Sequence, residues 1–183
     1  MTVKIAVSLV LAAIIQTTLA QMLPVTIGQW FRHIDWILLI VVYVGLQRDP
    51  VQVLVTGAVA GIVLNGFSWG RGFGIAGLGY LLAGYAVDRI VAWIVADSPL
   101  VRFSAVAAGS VISTLVRLLF FRLLQIELPI LIGGRNIGAT IVFSLFANLI
   151  ASVPVYLILD RIFQKNTRLR TRRMEARRIR PRL

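Results

Sequence analysis

Residues 57–80 read GAVAGIVLNGFSWGRGFGIAGLGY, placing eight glycines, an asparagine and an arginine in an otherwise oily chain. Glycine weakens a helix and an arginine in hydrocarbon is costly, so both need a structural reason. The stretch divides in two. Gly57 and Gly61 form a GxxxG pair in an apolar run, which lets helix backbones approach closely where lipid supplies no hydrophobic drive for association. In NGFSWGRGFG, by contrast, Gly66, Gly70, Gly72 and Gly74 recur too densely for a stable helix. The reading is helix, loop, helix, with Trp69 and Phe73 pinning the loop at headgroup level and Arg71 as an interfacial anchor. Such a unit belongs to an all-α integral membrane protein.

The rest of the chain agrees. Of 183 residues, 58% are hydrophobic, and the mean hydropathy is +0.88, well above globular usage. Apolar stretches predict six transmembrane helices over about 5–23, 34–48, 50–67, 73–95, 103–123 and 136–160, most of them near the ~20 residues a crossing needs. The second is short and must lean on flanking residues or thin the lipid. The first stretch, MTVKIAVSLVLAAIIQTTLAQ, also fits a cleavable leader, with Thr18-Leu19-Ala20 before Gln21; it is read as a retained span.

Six crossings put both termini on one side, and charge selects which. Residues 164–183 form an Arg-rich tail including Arg168, Arg170, Arg172, Arg173, Arg177 and Arg178. By the positive-inside rule the termini are cytoplasmic. A net charge of +12 invites a nucleic-acid reading, but basic residues directly after a span read as a topology anchor binding anionic lipid headgroups, and no nucleic-acid partner is expected. Beyond about Thr167 the sequence suggests a disordered or loosely helical arm.

Polar residues inside the spans are few enough to consider singly. Asp35 opens the second span in RHIDWILL, where it suits an N-cap; a sharper reading gathers Asp35, Asn65, Arg71 and Arg117 into an outer polar cluster. Arg117 ends a stripe through Ser110, Ser113 and Thr114 and needs a partner, a cavity or the interface. Small residues recur at Gly79 and Ala83, and again at Ala105, Gly109 and Ser113. The last span carries Thr140, Ser144, Asn148, Ser152, Tyr156 and Asp160 at four-residue spacing, a seam suited to inter-helix hydrogen bonds.

Catalytic and metal chemistry finds little footing. The chain has no cysteine and one histidine, His33, so neither a metal set nor a Ser-His arrangement with an orienting acid can be assembled. No cofactor is expected, and an enzyme is not the reading.

The order and spacing of these features resemble the MreD family of rod shape-determining membrane proteins. The family pattern is a short acidic-headed second helix, a basic or Pro turn, GxxxG, a small-residue loop and a helix ending in Ala and Tyr. Here these stand as Asp35 to Tyr43, Arg48-Asp49-Pro50, Gly57 and Gly61, Ser68 to Gly74, and Leu82-Ala83-Gly84-Tyr85. Asn148 to Phe163 resembles the family's last helix, and the likeness covers about Arg32 to Phe163. Two departures stand out: Asn65 where the family commonly has Asp, and Ile34 where Pro commonly precedes the acid.

The resemblance implies a six-helix bundle similar to the substrate-binding S-components of energy-coupling-factor transporters, in the bacterial cytoplasmic membrane. It implies a non-enzymatic scaffold of the peptidoglycan elongation machinery, bound to MreC and working beside the RodA polymerase, the elongation transpeptidase and, indirectly, the MreB filament. The expected docking faces for a partner's helix are Gly57, Gly61, Gly79 and Ala83. The alternative is an S-component-like small-molecule-binding subunit of a transporter, with the outer polar cluster lining its site.

Overall fold

The computed structural model describes residues 2–19, 22, 24, 28, 31–67, 74–93, 98–125 and 137–178, with side chains as far as Phe163. Its main elements are helices: α1 (Thr2–Ile14), running into a π-turn (Ile15–Leu19), then α2 (Trp36–Gly45), α3 (Pro50–Phe67), α4 (Ile75–Trp93), α5 (Pro99–Leu123) and α6 (Ile137–Arg178). The helix–loop–helix read from residues 57–80 is α3 and α4. The expected loop over Ser68 to Phe73, with Arg71, lies outside the described residues. Residues Pro50–Phe67, Ile75–Trp93, Pro99–Leu123 and Gly138–Phe163 are long and apolar enough to cross a membrane.

The helix within the second predicted span is shorter than the span itself. Instead of filling 34–48 it covers only ten residues, Trp36–Gly45, and ten residues rise ~15 Å, half of the ~30 Å hydrocarbon core. Its place in the bundle explains how so short a helix survives. Every residue from Ile37 to Gly45 is buried, and α1, α3, α4 and α5 all pack against it. A helix apolar on all sides belongs in an interior. Five of its ten residues are β-branched, poor helix formers in water, but a dry interior penalises any unpaired backbone group and so enforces the helical hydrogen bonds.

Small residues let the surrounding helices close on this centre. Where α3 crosses α4, a methyl group on Gly61 would overlap the Gly77 backbone, and one on Gly57 would sit 2.7 Å from Leu81 Cα. A methyl group on Gly84 of α4 would meet Val41 of α2 at 2.7 Å, and one on Gly109 of α5 would meet Val42 at 2.6 Å. The expected partner-docking faces are therefore corrected. Gly57 and Gly61 are filled by α4, Gly79 faces Arg117 and Ser113 of α5, and Ala83 is fully buried. These faces are consumed inside the fold and are closed to another protein's helix.

The chain divides into two compact units, Met1–Ser152 and Val153–Leu183. The second consists of the remainder of α6, which contains Pro154 and is helical to Arg178. The side chains of Arg168, Arg170, Arg172, Arg173, Arg177 and Arg178 lie outside the described residues.

Candidate functional site

A helix that begins inside a protein leaves its first backbone N–H groups without water to bond. In α2 those donors are met by side chains. Asp35 is the N-cap: its carboxylate accepts from Leu38 N at 3.0 Å, while its carbonyl accepts the first helical bond from Leu39 N at 3.1 Å. The Asp35 N–H donates to Asn148 Oδ1 of α6 at 2.8 Å. The Ile37 N–H donates to Gln16 Oε1, in the π-turn after α1, at 3.4 Å. Three separate elements thus complete one helix end.

The cap is charged, and the charge has a partner. Arg117 Nη2 of α5 lies 2.5 Å from Asp35 Oδ2, with the two side chains 25% and 12% exposed. Tyr80 of α4 donates its hydroxyl to Asp35 Oδ1 at 2.9 Å, and its ring lies under the Arg117 guanidinium, whose carbon is 4.6 Å from the ring centroid. Asn148 continues the network by donating Nδ2 to Ser110 Oγ of α5 at 3.1 Å. Tyr80 stands five residues into α4 and Arg117 six residues from the end of α5, so the cluster sits roughly 8 Å inside that end of the bundle.

Local sequence choices make the geometry possible. Gly79 has no side chain, and Arg117 Cγ occupies the space beside it, 3.2 Å from where a Cβ would stand. The Arg117 stem can therefore cross α4 to reach Asp35. Thr114 turns its hydroxyl onto the Ser110 carbonyl at 2.8 Å, and the Ser110 hydroxyl receives Asn148.

Of the four residues read as an outer polar cluster, Asp35 and Arg117 are brought together. Asn65 lies in the last turn of α3, and among the described residues the groups bonded to the Asp35 carboxylate are Leu38, Tyr80 and Arg117. Arg71 lies outside the described residues. Tyr80 and Gln16 were missed by sequence reading, and Asn148 and Ser110 were assigned to helix seams rather than to Asp35. Gln16 within the first apolar run was a usable signal, since a primary amide among apolar residues demands a partner.

Chemically the arrangement is a lattice in which the Asp35 carboxylate meets three donors, while Arg117 Nε is buried without a hydrogen-bond partner. The carboxylate is saturated by a cation, a phenol and a backbone amide, which leaves it unsuited to act as a base or nucleophile. Among the described residues no group of three or more His, Cys, Asp or Glu could hold a metal ion. Asp88 of α4 is also buried, at 3% exposed, with Arg89 Nε 3.6 Å away.

A family model described as rod shape-determining protein MreD covers residues 1–166. No curated protein and no solved structure matches the chain.

Proposed function

The chain belongs to the MreD family of rod shape-determining membrane proteins, and we propose on that basis that it is a non-enzymatic scaffold subunit of the bacterial cell-wall elongation complex. In this reading it resides in the cytoplasmic membrane as a multi-pass protein with both termini cytoplasmic, and α2 traverses together with its flanking residues. It binds MreC and supports peptidoglycan synthesis by the RodA polymerase and the elongation transpeptidase, with MreB acting indirectly. The bundle is taken as similar to the S-components of energy-coupling-factor transporters, and the basic arm as a contact for anionic headgroups.

One observation carries the scaffold reading over a ligand-binding one. The polar groups available to grip a solute, Asp35, Tyr80, Arg117 and Asn148, are engaged with each other and with the α2 backbone. A binding site keeps some polar groups convergent on an open space; here they converge on a helix end. Partner docking then falls to the membrane-facing surfaces, because the glycine faces are internal. Gly61→Leu is a poor probe of docking for the same reason, since the leucine would collide with α4.

The test is a mild-detergent pull-down of the tagged full chain from its host's membranes, with co-purifying proteins and small molecules identified by mass spectrometry. Recovery of an MreC-like single-span protein with the glycan polymerase is the expected result. Recovery of a coupling subunit with ATPases, or of a stoichiometric vitamin-like ligand, would overturn the scaffold and favour the transporter subunit.

A further inference from the structure

The last apolar span, Gly138–Phe163 of α6, has a proline inside its helix, Pro154. Proline carries no N–H, so Pro154 cannot give the Ile150 carbonyl its helical hydrogen bond. A hydroxyl or amide side chain close by can close such a gap in a membrane helix, but those beside it are committed elsewhere. Ser152, 1% exposed, turns its hydroxyl onto the Leu149 carbonyl at 2.7 Å. Asn148 gives Nδ2 to Ser110 Oγ, and its oxygen accepts from Asp35 N.

The position of the carbonyl decides what can reach it. Ile150 is 72% exposed, more than any other large apolar side chain described on this helix, and Pro154 is exposed as well. The gap therefore opens toward lipid rather than into the bundle. Along the span Ile150 stands twelve residues from Gly138 and thirteen from Phe163, roughly 18 to 20 Å from either end. In a hydrocarbon core of ~30 Å that point lies beside the midplane. Water and headgroup donors are out of reach there, and acyl chains have no donor to offer. A bare carbonyl in hydrocarbon is costly, so chemistry selects the occupant: a side-chain O–H or N–H borne on another membrane-spanning helix. Phe146, 57% exposed one turn before Ile150, extends the same side into an apolar surface for that helix to cover.

We propose that the outward face of α6 around Phe146 and Ile150 docks a membrane-spanning helix of another protein, whose Ser, Thr, Asn or Gln side chain donates to the Ile150 carbonyl. The proposal deepens the scaffold reading, resting on it for the identity of the partner. This face differs from the glycine faces, which the fold itself fills, because its unmet acceptor is served by neither Ser152 nor Asn148.

The test is photo-crosslinking in the host's membranes, with benzoylphenylalanine placed at Phe146 or Ile150 of the full chain. The control position is Leu82, 41% exposed near the middle of α4. Phe146 takes the aromatic probe with little change of shape, so at least one labelled chain should insert. One crosslinked protein is expected from the α6 positions and none from Leu82, with the crosslink mapping to a spanning helix beside a Ser, Thr, Asn or Gln. Replacing that partner residue by Ala should lower co-purification roughly three- to tenfold, the range of hydrogen bonds between membrane helices. In a Pro154→Ala chain, whose new N–H closes the gap internally, the same replacement should have no further effect. A partner change equally harmful in both backgrounds overturns the proposal, since a proline that only bends the helix would give that result. Crosslinks to lipid alone, to a second copy of this chain, or equally from Leu82 overturn it too. Its failure is separable from that of the scaffold. An MreC-like protein that co-purifies without crosslinking at α6 overturns this face and leaves the scaffold standing, whereas a coupling subunit's helix crosslinked at Ile150 supports the face and overturns the scaffold.

Discussion

The two ends of α2 are finished by opposite means. At the C-terminal end the chain caps itself: Leu46 N bonds to Val42 O, Gln47 N to Val44 O and Arg48 N to Gly45 O, all between 3.0 and 3.3 Å. Arg48 takes the left-handed conformation at φ 58°, as a chain does when it turns out of a helix. At the N-terminal end local backbone supplies little, and Asp35, Gln16 and Asn148 are held in place by α1, α5, α4 and α6. The difference follows from surroundings. Arg48 and Asp49 are exposed, so loose carbonyls there can find water; the N–H groups at the Asp35 end are met by side chains instead. A short helix inside a membrane protein can end cheaply at a surface, but its inner end must be built by the whole fold.

Breaking the inner end should therefore have the largest effect. Arg117→Ala leaves the Asp35 carboxylate buried and unpaired, a change expected to destabilise the protein by ~3–5 kcal/mol. It should show as a large drop in detergent melting temperature. If the pair acts as a unit, Asp35→Asn combined with Arg117→Met should be less damaging than the sum of the two single changes. Additive losses would show that the two side chains act separately. Asn148→Ala comes next, since it strands the Asp35 N–H and frees Ser110; ~1–3 kcal/mol is expected for a buried donor left unmade. Faster hydrogen exchange at Asp35 and Leu38 in that variant, with Gln47 and Arg48 unchanged, would localise the damage to one end. Exchange rising equally at both ends would refute the division.

Much of this arrangement was legible in the sequence, and the failures have physical causes. Asp35 before an apolar run announces a cap, and Arg117 within a span announces a need for a partner, because both signals are local or unconditional. Gly57 and Gly61 announce close helix contact equally well, but GxxxG is indifferent to whether the approaching backbone belongs to the same chain. How much of the second span is helix could not be read, because lipid and protein interior select the same apolar residues, so WILLIVVYVG looks alike in either. Tyr80 and Gln16 joined the cluster unseen: Tyr80 meets Asp35 and Gln16 meets Ile37 only through packing that brings residues 45 and 21 positions apart together, and no periodicity encodes that.

Tyr80→Phe sharpens the inner end further. It removes the hydroxyl bonded to Asp35 but keeps the ring under Arg117, so the loss should be that of one hydrogen bond to a charged acceptor, about 1.5–3 kcal/mol. Tyr80→Leu removes both and should lower the melting temperature further; equal effects would mean that the ring contact with Arg117 contributes nothing.

At the C-terminal end of α2 the smallest change is expected. Arg48→Gly relieves a left-handed backbone that disfavours a residue with a Cβ by roughly 1–2 kcal/mol, while the glycine loses up to about 1 kcal/mol through its greater freedom in the unfolded chain. These terms oppose one another, so stability should stay within about 1 kcal/mol of the parent. A loss at Arg48 as large as that at Arg117 would mean that the C-terminal end, too, is held by the fold rather than by its own turn.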